Sequence, residues 1–277
     1  MGLVPSREEA AAAWLEQIEA SHAQMKRLAD EVQHGTEEFL AARLPSLRAG
    51  ASPSEELDYL RSLARPEDVW MELGAAAGRL AVPLAPCVKT FVALDPSPKM
   101  REALRETAER AGVSNLEQVD ASWPDAAESL PAADVTLAAN MFYAMERPLP
   151  FVDAMERRAR RLCVITAADR PGRSPDPDVW REVMGEPHLS DPGAVEMQVL
   201  LLATGRRPDV RCFAAPPPRA LPPEQAVEQQ RWRLGLAADS ARLPALRAAV
   251  EKRTGADGLV RLNSGRRYTA VLTWESS

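Results

Sequence analysis

The chain has 277 residues, more than one minimal domain and fewer than two full enzymes, so the expectation is one α/β domain of about 150 to 200 residues with attachments. Its 34 basic and 40 acidic side chains give a net charge of −6, which argues against a chain that holds nucleic acid or anionic lipid by bulk charge. No window reaches about 18 apolar residues, residues 1–9 lack a basic start followed by an apolar run, and Cys87, Cys163 and Cys212 form no metal-like pair, so the expectation is a cytoplasmic chain with reduced thiols, no metal and no membrane partner.

Ser6 with Glu9 three places on is a capping box, and Trp14, Ile18, Met25, Leu28 and Val32 recur at helical spacing, which predicts a long first helix with one face to cover. A second helical stretch over about Thr36 to Leu47 and a short helix over Glu55 to Leu63 follow. From Asp68 short apolar runs alternate with amphipathic segments, the signature of βα units in a parallel sheet covered on both faces. Strands are expected at about Asp68–Leu73, Lys89–Asp95, Leu116–Asp120, Asp134–Asn140 and Leu162–Ala167, with helices between, including one over about Leu149 to Arg161. The Pro- and Gly-broken stretch after Ala168 reads as an insertion over residues 171–191. A helix over Gly193 to Thr204 and a sixth strand over Asp209 to Ala215 come next. A helical pair within residues 222–254 precedes a hairpin-like end, in which Leu259–Leu262 and Arg267–Glu275 flank Asn263-Ser264-Gly265. The division is therefore residues 1–65 as an N-terminal helical cap and residues 66–277 as the sheet domain with its two helical additions.

Three features fall at the carboxyl ends of the first three expected strands, where an open parallel sheet binds its ligand. Glu72-Leu73-Gly74-Ala75-Ala76-Ala77-Gly78 runs from strand into small residues, which let a ligand touch backbone N–H groups of a turn and a following helix. Asp95 ends the second strand about 20 residues after the turn, the spacing at which a carboxylate accepts hydrogen bonds from a ribose diol. Asp120 ends the third strand, placed to meet an exocyclic amine of a purine. Singly each is weak, since a strand-terminal Asp is more often a helix cap; in this order and spacing they support one another.

These motifs resemble those of the class I S-adenosylmethionine-dependent methyltransferases. Glu72 to Gly78 looks like that family's acidic, glycine-rich first motif, Ala93-Leu94-Asp95-Pro96-Ser97-Pro98-Lys99-Met100 like the second, Asp120-Ala121-Ser122-Trp123 like the third, and Ala133 to Tyr143 like the fourth strand and its substrate-facing exit. The resemblance implies a Rossmann-like, doubly wound, seven-stranded, mostly parallel sheet whose last strand is antiparallel. It implies S-adenosylmethionine as cofactor, bound by Glu72, Gly74, Ala75, Gly78, Asp95, Pro96, Met100, Asp120, Ala121, Asn140 and Met141. In this assignment Gly74, Ala75 and Gly78 hold the amino-acid tail, Asp95 the ribose and Asp120 the adenine. One departure is Ala76, where the family's middle glycine stands. A nicotinamide site fares worse, because its fingerprint needs glycine at 76 and 79 and the chain has Ala76 and Arg79.

Methyl transfer asks mainly for in-line positioning, so a general base is optional. Candidates for a catalytic group are Tyr143, His34 and His188, each with a commoner structural reading as core aromatic or surface histidine. The run Arg157-Arg158-Ala159-Arg160-Arg161 is placed at a helix C-terminus, where cations meet the dipole and solvent, rather than read as a nucleic-acid patch. Trp14 and Trp180 are the cap residues to test as a roof over the acceptor, with packing as the default. The expected acceptor is a small molecule bearing O, N or C, with no nucleic-acid partner. The alternatives are a cofactor-binding protein without turnover and a methyltransferase acting on RNA or protein.

Overall fold

The computed structural model describes residues 4–30, 54–172 and 174–276; His34 and the helix expected over Thr36 to Leu47 lie outside the described residues. Helix α1 (Arg7–Leu28) begins at the expected box, with Ser6 Oγ accepting from Glu9 N at 3.2 Å and Glu9 Oε2 accepting from Ser6 N at 2.7 Å. Helix α2 (Glu55–Leu63) starts on Ser54, whose hydroxyl accepts from Leu57 N. Strand β1 (Val69–Leu73) is followed by a single turn of helix, α3 (Ala81–Leu84), and a 3-10 turn over Ala85–Cys87. Pro83 and Pro86 remove two backbone donors from this segment, so the helix expected after the first motif is cut short.

The sheet continues through β2 (Thr90–Leu94), α4 (Pro98–Ala111), β3 (Leu116–Val119), β4 (Ala133–Ala139), α5 (Pro148–Arg158) and β5 (Ala159–Ala168). After α6 (Pro177–Met184) and α7 (Ala194–Ala203) come β6 (Asp209–Ala214), β7 (Ala220–Leu221), α8 (Pro223–Arg233), α9 (Leu243–Glu251), β8 (Val260–Arg261) and β9 (Tyr268–Glu275). Seven strands form one sheet in the order β3-β2-β1-β4-β5-β9-β6. Strand β9 runs antiparallel to both neighbours, and the other neighbouring pairs are parallel. The Rossmann-like sheet with its reversed last strand is thus present.

Alternate residues of each central strand feed opposite faces. Met71, Leu73, Val92 and Leu94 pack with Trp14 and Ile18 of α1 and with α5 and α7, while Trp70, Phe91, Ala93 and Leu137 pack with Leu60 of α2 and Leu104 of α4. Burial on both faces explains the near-continuous apolar runs.

Two local expectations fail. Helix α5 stops at Arg158, because Ala159 already pairs with Ala133 across a register irregularity and the next residues extend β5. The basic run is therefore split between helix and strand and neutralised by acids: Arg157 and Arg158 meet Glu128, Arg160 meets Asp134 and Arg161 meets Asp68. The expected C-terminal hairpin does not form either. Val260–Arg261 pairs with Ala220–Leu221, and β9 inserts between β5 and β6, where Ala270, Val271 and Leu272 are fully enclosed.

A third apolar cluster joins α6, α8 and α9 through Val179, Trp180, Val183, Leu234, Leu246 and Val250, with Met25 and Leu28 of α1 packed against it. The chain passes between sheet and this helical cap after Ala168, after Ala214 and before Tyr268. Since β6 is parallel to β5 and β9 opposes both, all three crossings lie at the carboxyl rim of the parallel strands. Helix α1 straps the two parts together: Arg7 pairs with Asp153 on α5, Trp14 Nε1 donates to Met145 O at 2.7 Å, and Gln24 Nε2 donates to Pro187 O at 2.8 Å. Asp176 pins the cap, its Oδ1 accepting from Asp178 N and Val179 N and its Oδ2 from Asn263 N. Trp14 and Trp180 are 2% and 0% exposed, so both are packing anchors. Truncating Trp14 to alanine should cost about 3 to 5 kcal/mol in denaturant unfolding, because it empties the main core and orphans the Met145 carbonyl; a loss under about 1 kcal/mol would mean that α1 is not integral to the domain.

Candidate active site

The chain leaves β1 through Gly74 (φ +75°), Ala76 (φ +46°) and Gly78 (φ +89°), three left-handed residues in five positions. The N–H groups of Gly74 and Ala75 both donate to Leu94 O, at 2.9 and 2.8 Å, and Ala76 N donates to Asp95 Oδ2 at 2.8 Å. The turn is therefore fastened to the end of β2. A Cβ at Gly74 would stand 2.6 Å from Met141 Sδ and Cε, and one at Gly78 would stand 2.4 Å from Leu104 Cδ1, so a side chain at either would have to displace those side-chain ends and would be strained by the positive φ in any case. Ala76 holds the same kind of backbone with a methyl group, which packs against the small cluster of Ala77, Met100 and Ala103.

Asp95 is 7% exposed, and its Oδ1 accepts from Ser97 N at 2.9 Å. Burial pushes its pKa up while the two backbone donors and Arg101 hold it down. Each oxygen keeps lone-pair capacity for a further donor, which suits a diol. Asp120, with its side chain 69% exposed, is held from outside by Arg101, whose Nη2 lies 2.7 Å from Oδ2 while Nη1 donates to Asp95 O at 2.8 Å. Arg101 thus ties the ends of β2 and β3 together, a role with no signal in the sequence because its partners are 6 and 19 residues away. Pro96 is exposed, Ala121 is half-buried against the main core, and Met100 is buried beneath the turn.

Strands β1 and β4 are neighbours from which the chain winds in opposite directions, so the crevice at their carboxyl ends is the topological switch point. Gly74 and Met141 meet there. Asn140 (φ +55°) donates its N–H to Thr166 O at 2.8 Å. The Tyr143 hydroxyl donates to Asn140 Oδ1 at 2.6 Å and accepts from Ala168 N at 2.7 Å. Burial raises the Tyr143 pKa, so this phenol braces the exits of β4 and β5 and is poorly suited to act as a base at neutral pH. His188 stands edge-on to Trp180 with ring centroids 4.6 Å apart, inside the cap. Among the described residues no group of three or more His, Cys, Asp or Glu side chains is arranged to hold a metal, and no helix is long and apolar enough to cross a membrane. A polar cleft of about 540 Å³ lined by Arg7, Glu156, Arg206 and Trp274, among others, lies at the opposite rim, beside the start of β5.

Residues 71–164 match the family model of a methyltransferase domain. Over those residues, about a third of its length, the chain is similar to a methyltransferase domain. A curated relative, an uncharacterized protein of Haemophilus influenzae, is 30% identical over 97 residues, and the match spans about a third of each protein, 35% of this chain and 33% of that one. Among solved structures, magnesium protoporphyrin IX methyltransferase from Synechocystis PCC 6803 with bound SAH aligns with TM-score 0.51 and 11% identity, covering 97% of this chain and 99% of that one. The YcgJ protein from Bacillus subtilis aligns with TM-score 0.53 and 16% identity over 79% of this chain and 97% of that one. At these identities the structures show the shared Rossmann-like fold. The cofactor of the class I family is S-adenosylmethionine. The rim fits it: a turn stripped of side chains at Gly74 and Gly78, a buried acid at Asp95 and a buried oxygen on Glu72 that has no hydrogen-bond partner among the described residues.

The left-handed φ at Ala76 costs roughly 1 kcal/mol in a non-glycine residue. Ala76→Gly should therefore raise unfolding stability by up to about 1 kcal/mol and improve cofactor affinity by no more than about tenfold, ~1.4 kcal/mol. Parallel denaturation and calorimetry check both; a native chain that binds nothing at millimolar cofactor while the glycine variant binds would instead mark the turn as disabled.

Proposed function

We propose that this chain transfers a methyl group from S-adenosylmethionine to a small-molecule acceptor. The observation that carries the reading is the fastening of the left-handed turn after β1 to a buried carboxylate at the end of β2, Ala76 N to Asp95 Oδ2 at 2.8 Å, beside the switch point. In the proposed assignment the turn from Gly74 to Gly78 holds the cofactor's amino-acid tail, with Glu72 behind it. Asp95 accepts from the ribose hydroxyls, and Asp120 with Ala121 borders the adenine at the outer rim. Pro96 and Met100 shape the wall between them, and Asn140 and Met141 border the reacting end. When bound, the cofactor supplies a methyl group already activated on a sulfonium. The chain's own residues then have to orient the acceptor and exclude water, which needs no general base.

The helical cap supports a small acceptor, since all three chain crossings bring it to the same rim as the turn. A helical cap at this rim would limit acceptor size and help to keep water out. The basic run Arg157 to Arg161, the feature most like a nucleic-acid patch, is neutralised by Glu128, Asp134 and Asp68.

Binding should be saturable for both S-adenosylmethionine and its demethylated product, S-adenosylhomocysteine. Asp95→Ala should weaken it at least about tenfold, because it removes the charged acceptor of a diol and leaves Ala76 N and Ser97 N without their bonds. Unchanged affinity in calorimetry would remove the ribose assignment. Incubation of a metabolite extract with labelled methyl donor tests turnover: a labelled small molecule is expected, label only in RNA or protein would shift the acceptor class, and binding without any label would favour a cofactor-binding protein without turnover.

A further inference from the structure

Glu72 is the fourth residue of β1, level with Ala93 on β2 and Leu137 on β4, and is 3% exposed. Its neighbours across the strands are therefore apolar. Ala81 N is the backbone donor to the carboxyl, and Oε2 has no hydrogen-bond partner among the described residues. The charged groups that face it are Arg79 in the turn and Asp95 at the end of β2. Arg79 is drawn partly away, its Nη1 lying 3.6 Å from Glu56 Oε2 on α2. An ionised carboxylate in such a place would have one oxygen with no donor and a second acid nearby, an arrangement that favours the neutral form.

We propose that Glu72 is a proton-coupled receptor for the cationic part of the cofactor: it stands as a neutral carboxylic acid in the free protein and releases its proton to solvent when a positive charge enters the turn beside it. Only the O–H bond of the carboxyl breaks, and the proton goes to the buffer. The inference rests on the methyltransferase reading for the identity of the incoming charge, since S-adenosylmethionine and S-adenosylhomocysteine both carry an ammonium on the amino-acid tail. A positive charge within about 4 to 6 Å is enough to favour the ionised acid, without a direct contact. Burial is the main cause that pushes the Glu72 pKa to about 8; Arg79 and Ala81 N pull it down and Asp95 adds to the rise. Neutral at pH 7, the acid must lose its proton for the cation to gain a full partner. The sign follows: affinity should rise with pH, by up to tenfold per unit, as far as about 8. The ligand's own amine titrates near 8 in the opposite sense, toward weaker binding at high pH, and that effect persists without Glu72.

Calorimetry of S-adenosylhomocysteine binding at pH 7, in two buffers of different ionisation enthalpy, reads the proton directly. Native protein should release close to one proton per ligand bound, and Glu72→Gln should release none and lose the rising limb of the pH profile. Adenosine, which lacks the charged tail, should bind without release. Saturable binding with no buffer-dependent heat, equal release in Glu72→Gln, or equal release with adenosine would each overturn the proposal. An infrared measurement on the free protein needs no ligand: a protonated-carboxyl band should be present at pH 7, fade as pH passes about 8, and be missing in Glu72→Gln. Its absence from native protein at pH 7 would overturn the proposal, whereas its presence with no binding heat would uphold the neutral acid and count against the methyltransferase reading and the coupling to it.

Discussion

The hydrogen bond from Ala76 N to Asp95 Oδ2 carries the pairing of β1 with β2 past the ends of the strands and into their exits. With Ser97 N on the other oxygen, the Asp95 carboxylate is anchored by two backbone donors, fixes the turn after β1, and starts α4 at a set distance from it. Arg101, one turn into α4, then reaches back to Asp95 O and outward to Asp120, so the third strand end is registered to the second. A single buried acid thus sets the spacing of three strand exits. Its own burial opposes its charge, and the backbone donors make that charge tolerable.

The same rim is where the chain leaves the sheet twice to build the helical cap, after Ala168 and after Ala214, and α1 fastens that cap to the sheet through Trp14 and Gln24. Cap and β4 exit are therefore mechanically related. Trp14 bonds the carbonyl of Met145, and Met145 follows directly on the Asn140–Tyr143 exit of β4. Displacement of the cap would act through α1 on the segment that leaves β4 at the switch point. The tryptophans that sequence reading marked as roof candidates serve as packing anchors, 2% and 0% exposed.

The sheet and the candidate rim were legible because they are local in sequence. Strand exits carry their acids at the strand end, the glycine turn follows its own strand, and Ser97 with Pro98 marks the next helix within two residues. What escaped depends on distant partners. Arg101 looks like any surface arginine until Asp120 is placed beside it, and the split of the basic run required knowing that Ala133 pairs with Ala159. The false hairpin has the same origin: Val260–Arg261 has a turn signal toward Tyr268 but finds its partner at Ala220–Leu221, some 40 residues earlier. The helix expected after the first motif is truncated to α3 because the missing donors of Pro83 and Pro86, a local signal that the reading passed over, outweigh the apolar run around them.

Two non-glycine residues among those described have positive φ, Ala76 and Asn140, and they stand on the two strands that flank the switch point. Each is held in that backbone by bonds from outside its own turn: Ala76 by Asp95, Asn140 by Thr166 O and the Tyr143 hydroxyl. Such conformations cost of order 1 to 3 kcal/mol and persist only where surroundings over-determine them. Relaxation of either would swing a peptide plane at the crevice mouth and change which N–H groups face it. The bonds that hold the strain are therefore the ones that fix donor directions before any ligand arrives, and that pre-set geometry is what methyl transfer by positioning requires.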